Sequence, residues 1–329
     1  MKVLILAPQA RYDQYGPAPE AREGLELVFR DRTGTEAEWL EAGADAEVLV
    51  VTPVTAVTEQ LIARMPKLRM IHSEGVGYDR IDLEAARKRG IWVCNNAGCN
   101  ADAVAELAVT LMSMLLHRTL WGDRMMRQGR HAEAIRTLEG DIPPDLSVST
   151  VGLVGFGNIA QATARRLQVN GSRVFYYARH RRDPETEAAL GTGYLPLLEL
   201  AEQCDIISLH LPATAESRHL LDETFFAHLK PGAFLVNTAR GAVIDDEALC
   251  AAMRSGRLAG AALDAYEPEP AGADHPLVHL AAEFPDRMIL CPHQGGVNQS
   301  AYRRVVQMIF GNLEALQAGR RPDRVVNGL

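Results

Sequence analysis

The sequence predicts an α/β protein built on two doubly wound parallel sheets. Three observations predict it: short apolar runs alternating with helical stretches, a second alternating series after Pro143-Pro144, and a glycine-rich turn opening that series. Strands separated by helices of this length imply βαβ units and therefore parallel pairing. At 329 residues the chain holds roughly two domains of about 150 residues each. Hydrophobic residues make up 47% and charged residues 23%, an ordinary globular balance that excludes disorder. A formal net charge of −8 offers no global cationic field to recruit phosphate backbone, so nucleic acid is disfavoured as a partner. Five cysteines without C-x-x-C spacing form neither a disulfide framework nor a zinc ribbon, and a reducing cytoplasm is the simpler setting. No apolar span of about 20 residues is present to cross a bilayer.

Taken in order, the run from Met1 to Pro8 is too short for a signal peptide and reads as a first strand. Val48–Val51 is a strand stopped by Pro53, and Leu68–His72 is another, punctuated by Gly75-Val76-Gly77. Asp82 to Lys88 is helical with Asp82 as cap, and Ile91–Cys94 returns to strand. After the turn residues Asn95 to Gly98, the sequence from Asn100 to about Trp121 reads as one long helix. Val104, Leu107, Ala108, Leu111, Met112, Leu115 and Leu116 recur at helical period on a face wide enough to be mostly buried. The second series places strands at Val151–Val154, Arg173–Ala178, Ile206–His210, Ala233–Thr238, Ala259–Leu263 and Met288–Cys291. A last helix, Ser300 to Ala318, follows the break at Gly295-Gly296 and is expected to return to the first domain.

Val151 to Ala160 reads as a strand followed by G-x-G-x-x-A. Gly155 permits the tight turn, Gly157 lets the backbone approach a pyrophosphate, and small Ala160 lets the helix pack on the strand. The helix start would hold the anion on its free N–H groups. This is the turn of a Rossmann, dinucleotide-binding domain. About 20 residues on, an NAD site places an acid at the next strand tip for the ribose 2′-OH. Position 178 is Ala instead, followed by Arg179, His180, Arg181 and Arg182. A guanidinium there holds a 2′-phosphate with paired donors, which favours NADP(H), with NAD(H) and a merely solvated basic loop as the alternatives. Arg179 is the first choice of contact, with Arg181 or Arg182 in support; Asp183 is the unused acid nearby.

Three motifs end later strands: Asn237-Thr238-Ala239-Arg240-Gly241, Leu263-Asp264 to Pro270, and Cys291-Pro292-His293-Gln294-Gly295-Gly296. Ligand sites in open α/β sheets gather outside the carboxyl ends of strands. Arg240 would clamp a carboxylate or polarise a carbonyl oxygen, and an acid beside His293 would keep its proton available near neutrality. Spacing alone does not choose between Glu267 and Glu269 for that acid. His210, His219, His228, His275 and His279 read as structural or solvated, and no pattern suggests a metal site.

From about Ser73 to His293 these motifs, with Gly75-Val76-Gly77-Tyr78-Asp79-x-Ile81-Asp82 and the Asn100–Glu106 helix start, resemble the D-isomer-specific 2-hydroxyacid dehydrogenase family, which includes glyoxylate/hydroxypyruvate reductases. The resemblance implies a flavodoxin-like substrate domain, residues 1–99 and 294–329, into which a dinucleotide-binding domain, 100–293, is inserted. It implies hydride transfer between NADP(H) and a small 2-oxo or 2-hydroxy acid, with Arg240, Glu269 and His293 as the catalytic set. Val76 and Gly77 would cradle the substrate carboxylate beside Arg240. Asn158, Ile159, Leu211, Pro212, Thr238, Ala239, Asp264 and Gly295 would join the glycines at the cofactor, Asp264 at its carboxamide. A homodimer is also implied. Ala97, Gln294 and Glu74 depart from the family pattern, and Glu74 adds a negative charge beside the carboxylate cradle. The rival reading is a dinucleotide-sensing regulatory binding protein on the same fold, since fold does not fix function.

Overall fold

A computed structural model describes residues 1–329, Ala21 by its backbone alone. The chain divides into two compact units, Met1–Asn100 with Asn298–Leu329, and Ala101–Val297. The first carries β1 (Lys2–Ile5), β2 (Glu26–Phe29), β3 (Val48–Val51), β4 (Met70–Ser73) and β5 (Trp92–Cys94), all parallel, in the order β2-β1-β3-β4-β5. The flavodoxin-like order is therefore present. In β1, Val3 and Ile5 face one core with Val305, Val306, Ile309 and Leu313 of the Gln299–Gln317 helix, whereas Leu4 faces a second core with Leu61 and Ile62. Because helices cover both faces, the central strand β3 is apolar and buried at all four residues. The last helix thus does return to the first sheet.

The second unit carries β6 (Thr150–Val154), β7 (Arg173–Tyr177), β8 (Thr192–Tyr194), β9 (Ile206–Leu209), β10 (Ala233–Asn237), β11 (Leu258–Leu263) and β12 (Met288–Leu290). Their order is β12-β11-β10-β9-β6-β7-β8, again all parallel. The order reverses between β6 and β9, whose registers pair Val151 with Ile206 and Val154 with Leu209. Such a switch point opens a crevice at the carboxyl ends of the two strands.

Two local expectations change. The helix predicted from Asn100 to about Trp121 ends at Leu116, and a second helix, Thr119–Arg127, leaves at 60°. Arg118 adopts φ +50°, its N–H closes on the Leu115 carbonyl, and its guanidinium pairs with Asp141 at 2.6 Å. The apolar stripe that predicted one helix itself ends at Leu116, just before the polar pair His117-Arg118 where the helix breaks. Strands β2 and β8 lie outside the predicted set; β2 is only partly buried and both lie at sheet edges. Among the described residues no single helix is long and apolar enough to cross a membrane.

Candidate active site

The glycine turn sits where β6 ends. Gly155 adopts φ +91°, and a Cβ there would lie 2.6 Å from the His210 carbonyl oxygen and 2.9 Å from Leu211 Cβ. The chain thus needs glycine to pass between β6 and the segment leaving β9. The Asn158–Val169 helix follows, with Gly157 at its N-cap and no side-chain cap. Among the described residues the N–H groups of Gly157, Asn158 and Ile159 meet no acceptor, and a Cβ on Gly157 would enter open space. Unpaired donors at a helix N-terminus favour an anion. At neighbouring strand ends, Thr238 Oγ1 and His210 Nδ1 are buried without a partner, which an unbound polar group seldom is. Pro212 flanks the turn with its carbonyl held by Ser217 Oγ at 2.7 Å. These donors, the space and the unsatisfied hydroxyl fit a dinucleotide. Ala239 offers less than expected, since its N–H already donates to Asn237 Oδ1 at 2.9 Å.

The three arginines beyond β7 are not equivalent. Arg181 is committed to Glu187 by two hydrogen bonds of 2.8 Å, and Glu187 also accepts from the Tyr176 hydroxyl at 2.7 Å. That corrects its expected availability. Arg182 donates from Nη2 to the Phe156 carbonyl inside the glycine turn, 2.9 Å away. Arg179 is exposed and has no ion pair among the described residues. Asp183 caps the Pro184–Ala189 helix by accepting the Thr186 N–H at 2.8 Å, so its carboxylate is used locally.

Beyond β12, β11 and β10 the catalytic candidates meet. His293 Nδ1 lies 2.8 Å from Glu269 Oε2, and Glu269 Oε1 accepts the Tyr266 N–H at 2.9 Å. Of the two acids that spacing left open, Glu269 is the one on the imidazole. Its hydrogen bond raises the proton affinity of His293, against partial burial and the charge of Arg240. Burial pushes the Glu269 carboxyl up, but the hydrogen bonds from His293 and Tyr266, with Arg240's charge, outweigh it and hold the group below its ordinary value. Arg240 is half-buried, and its Nη1 donates to the Ala239 carbonyl at 2.8 Å, which fixes the plane of the guanidinium. With Nδ1 turned to Glu269, Nε2 is left for another partner.

Two devices that the sequence did not disclose hold this geometry. Asp264, 2% exposed, accepts the Gln294 N–H at 2.7 Å and the Gly295 N–H at 2.8 Å, clamping the turn in which His293 adopts φ +55°. A left-handed backbone costs a non-glycine residue about 1–2 kcal/mol, and two hydrogen bonds to a carboxylate offset that. Both Asp264 oxygens, and the Gly295 N–H, are therefore engaged within the protein. The Tyr266 hydroxyl lies 2.9 Å from the Leu263 and Cys291 carbonyls, tying the end of β11 to that of β12.

In the first unit, the loop after β4 turns its carbonyls inward. Ser73 Oγ donates to the Gly77 carbonyl at 2.6 Å, Asn95 Nδ2 to Val76 at 2.8 Å, and Asn96 Nδ2 to Glu74 at 2.9 Å. Among the described residues the Val76 and Gly77 N–H groups meet no acceptor. Glu74 is buried and does not add a free charge: Arg11 pairs with it at 2.6 Å and the Tyr12 hydroxyl donates at 2.7 Å. Arg11 in turn lies over the Tyr302 ring, 4.0 Å from its centroid.

The family model described as "D-isomer specific 2-hydroxyacid dehydrogenase, NAD binding domain" matches residues 109–295. A glyoxylate reductase of Korarchaeum cryptofilum is 36% identical over 288 residues, covering 88% of this chain and 85% of that protein. One from Thermococcus litoralis is 37% identical over 293 residues, with 88% and 86% covered. The crystal structure of D-lactate dehydrogenase from Aquifex aeolicus, complexed with NAD and lactic acid, superposes with a TM-score of 0.86 at 26% identity over 100% of both chains.

Proposed function

The chain belongs to the D-isomer-specific 2-hydroxyacid dehydrogenase family, and from that membership we propose that it reduces a small 2-oxo acid, glyoxylate or hydroxypyruvate, to the D-2-hydroxy acid with NADPH. As a member it is an NAD(P)-dependent oxidoreductase; the substrate, the cofactor preference and the roles below are the proposal. The observation that carries it is the 2.8 Å contact between His293 and Glu269 beside Arg240, in the same unit as the glycine turn.

The nicotinamide, when bound, supplies the hydride to the carbonyl carbon. Arg240 binds the substrate carboxylate and draws electron density onto the carbonyl oxygen. Within the first unit by itself, the free N–H groups of Val76 and Gly77 are donors suited to an anion. His293 gives a proton from Nε2 to the developing alkoxide, and Glu269 stabilises the imidazolium before transfer. In the oxidative direction the neutral ring takes the proton back.

Because the pKa of His293 is raised, the ring is charged below that value and neutral above it. Reduction is expected to be flat at low pH and to fall as pH rises through the raised pKa, with oxidation the mirror image. Glu269→Gln removes the carboxylate that raises it, so the fall moves to lower pH. Profiles of kcat/KM in both directions check this; an unmoved profile in Glu269→Gln removes the pair from the mechanism.

The 2′-phosphate is assigned to Arg179, with Arg182 beside it on the glycine turn. Arg179→Ala is expected to weaken NADPH by about ten- to a hundredfold, the worth of one charge-assisted hydrogen bond, and to leave NADH unchanged. The test of the whole reading is a steady-state panel of glyoxylate, hydroxypyruvate, pyruvate and bulkier 2-oxo acids, each with NADPH and NADH. A wild-type preference for NADH overturns the arginine assignment, and inactivity with every acid overturns the reductase.

A further inference from the structure

We propose that His275 is a positioning residue for the Glu269–His293 pair, acting through the backbone of the Tyr266–Pro270 loop; the proposal rests on the reductase reading above. His275 is 5% exposed and stands at the N-cap of the Pro276–Glu283 helix. Its Nδ1 accepts the Leu277 N–H at 3.2 Å, which leaves the ring proton on Nε2. Nε2 lies 3.1 Å from the Glu267 carbonyl oxygen, so the ring donates to the loop at the residue between Tyr266 and the catalytic acid's own proline pair. Asp246 Oδ2 is 3.7 Å from the same nitrogen, too far for a second hydrogen bond.

Tyr266 and Glu269 anchor the loop through their side chains, and His275 holds the backbone between them. Glu267, Pro268 and Pro270 are exposed, and the segment belongs to no helix or strand. On the opposite side it is pressed against Gly241, where a Cβ would lie 2.0 Å from Tyr266 C and 2.4 Å from Glu267 N. Gly241 follows Arg240, so the backbone held by His275 also abuts the turn bearing the guanidinium. The Tyr266 ring meets the imidazole edge-on, with centroids 5.9 Å apart. From Glu267 the connection runs through the Tyr266 N–H to Glu269 Oε1, and from Glu269 Oε2 to His293. The charged groups facing His293 are Glu269, Arg240 and Asp264; Asp246 is the one facing His275. A loop freed at Glu267 would let Glu269 drift from His293, and a displacement of about 1 Å is enough to cost on the order of a hundredfold in rate.

The two hydrogen bonds of His275 are separable by substitution. Asparagine keeps an acceptor for the Leu277 N–H, at a position where it is a favoured cap, but is too short to reach the Glu267 carbonyl. Glutamine carries an N–H out to the Nε2 position and gives up the cap. The experiment follows the His293 ring by NMR titration in wild type, H275N and H275Q, beside kcat, KM and Tm. The expected result is that H275N keeps most of its Tm, its His293 titrates at lower pH, and kcat falls by about tenfold or more with KM little changed. H275Q keeps the wild-type titration and most of kcat. A wild-type His293 titration in H275N overturns the proposal, as does loss of kcat in both variants in step with Tm. If H275N does not fold, H275Q decides: a retained titration supports the tie and a lowered one overturns it. Inactivity of the wild type would sink the reductase reading, while the ring titration still decides the loop.

Discussion

Replacing His293 with alanine is expected to lower kcat for 2-oxo acid reduction by about 10²–10⁴-fold, the usual contribution of a positioned general acid, and to leave the Kd for NADPH unchanged. The separation follows from where the groups sit. Cofactor affinity is assigned to the glycine turn after β6 and the arginines after β7, whereas His293 lies beyond β12 and bonds to Glu269. Removing the ring takes away the proton donor and leaves those donors in place. The loss corresponds to about 3–5 kcal/mol of barrier. Steady-state absorbance of NADPH reads the first quantity and isothermal titration the second. A variant with wild-type turnover would end the role given to the imidazole.

Arg240→Lys keeps the charge and loses the fork. The guanidinium spends Nη1 on the Ala239 carbonyl and still presents donors at fixed angles. An ammonium on a flexible stem cannot reproduce both. The expected result is a fall in kcat/KM for glyoxylate of about 10²–10³-fold, the scale of losing one donor to a developing oxyanion, while NADPH binding persists. Steady-state kinetics on the folded variant check it. Activity within a factor of about three, less than 1 kcal/mol of barrier, would move Arg240 out of the site.

Much of this geometry was legible because parallel sheets covered on both faces write themselves as unbroken apolar runs, as in Val48–Val51. Arg240, His293 and an acid beside it were legible because each follows the end of such a run. The limits are physical too. Edge strand β8 carries little apolar signal, and β2, though Leu27, Val28 and Phe29 are apolar, is only partly buried. Nothing near Glu74 announces that Arg11, 63 residues earlier, will pair with it. Asp264 bonds to backbone N–H groups 30 and 31 residues on, and backbone donors leave no trace in residue identity. Arg181 and Glu187 are only six residues apart, yet the pair forms because the chain turns there into a helix that Asp183 caps.

The connectivity has a further consequence for biogenesis. The second unit is one continuous stretch, whereas the first is completed only when Asn298–Leu329 joins Met1–Asn100. On the ribosome, the inserted body is fully emergent while its host still lacks the helix that seals one side of its sheet. Released chains truncated after Val297 should therefore show a protease-resistant core from Ala101 onward and a digestible amino-terminal segment. Equal protection of both would mean that the amino-terminal hundred residues hold their shape before the tail arrives.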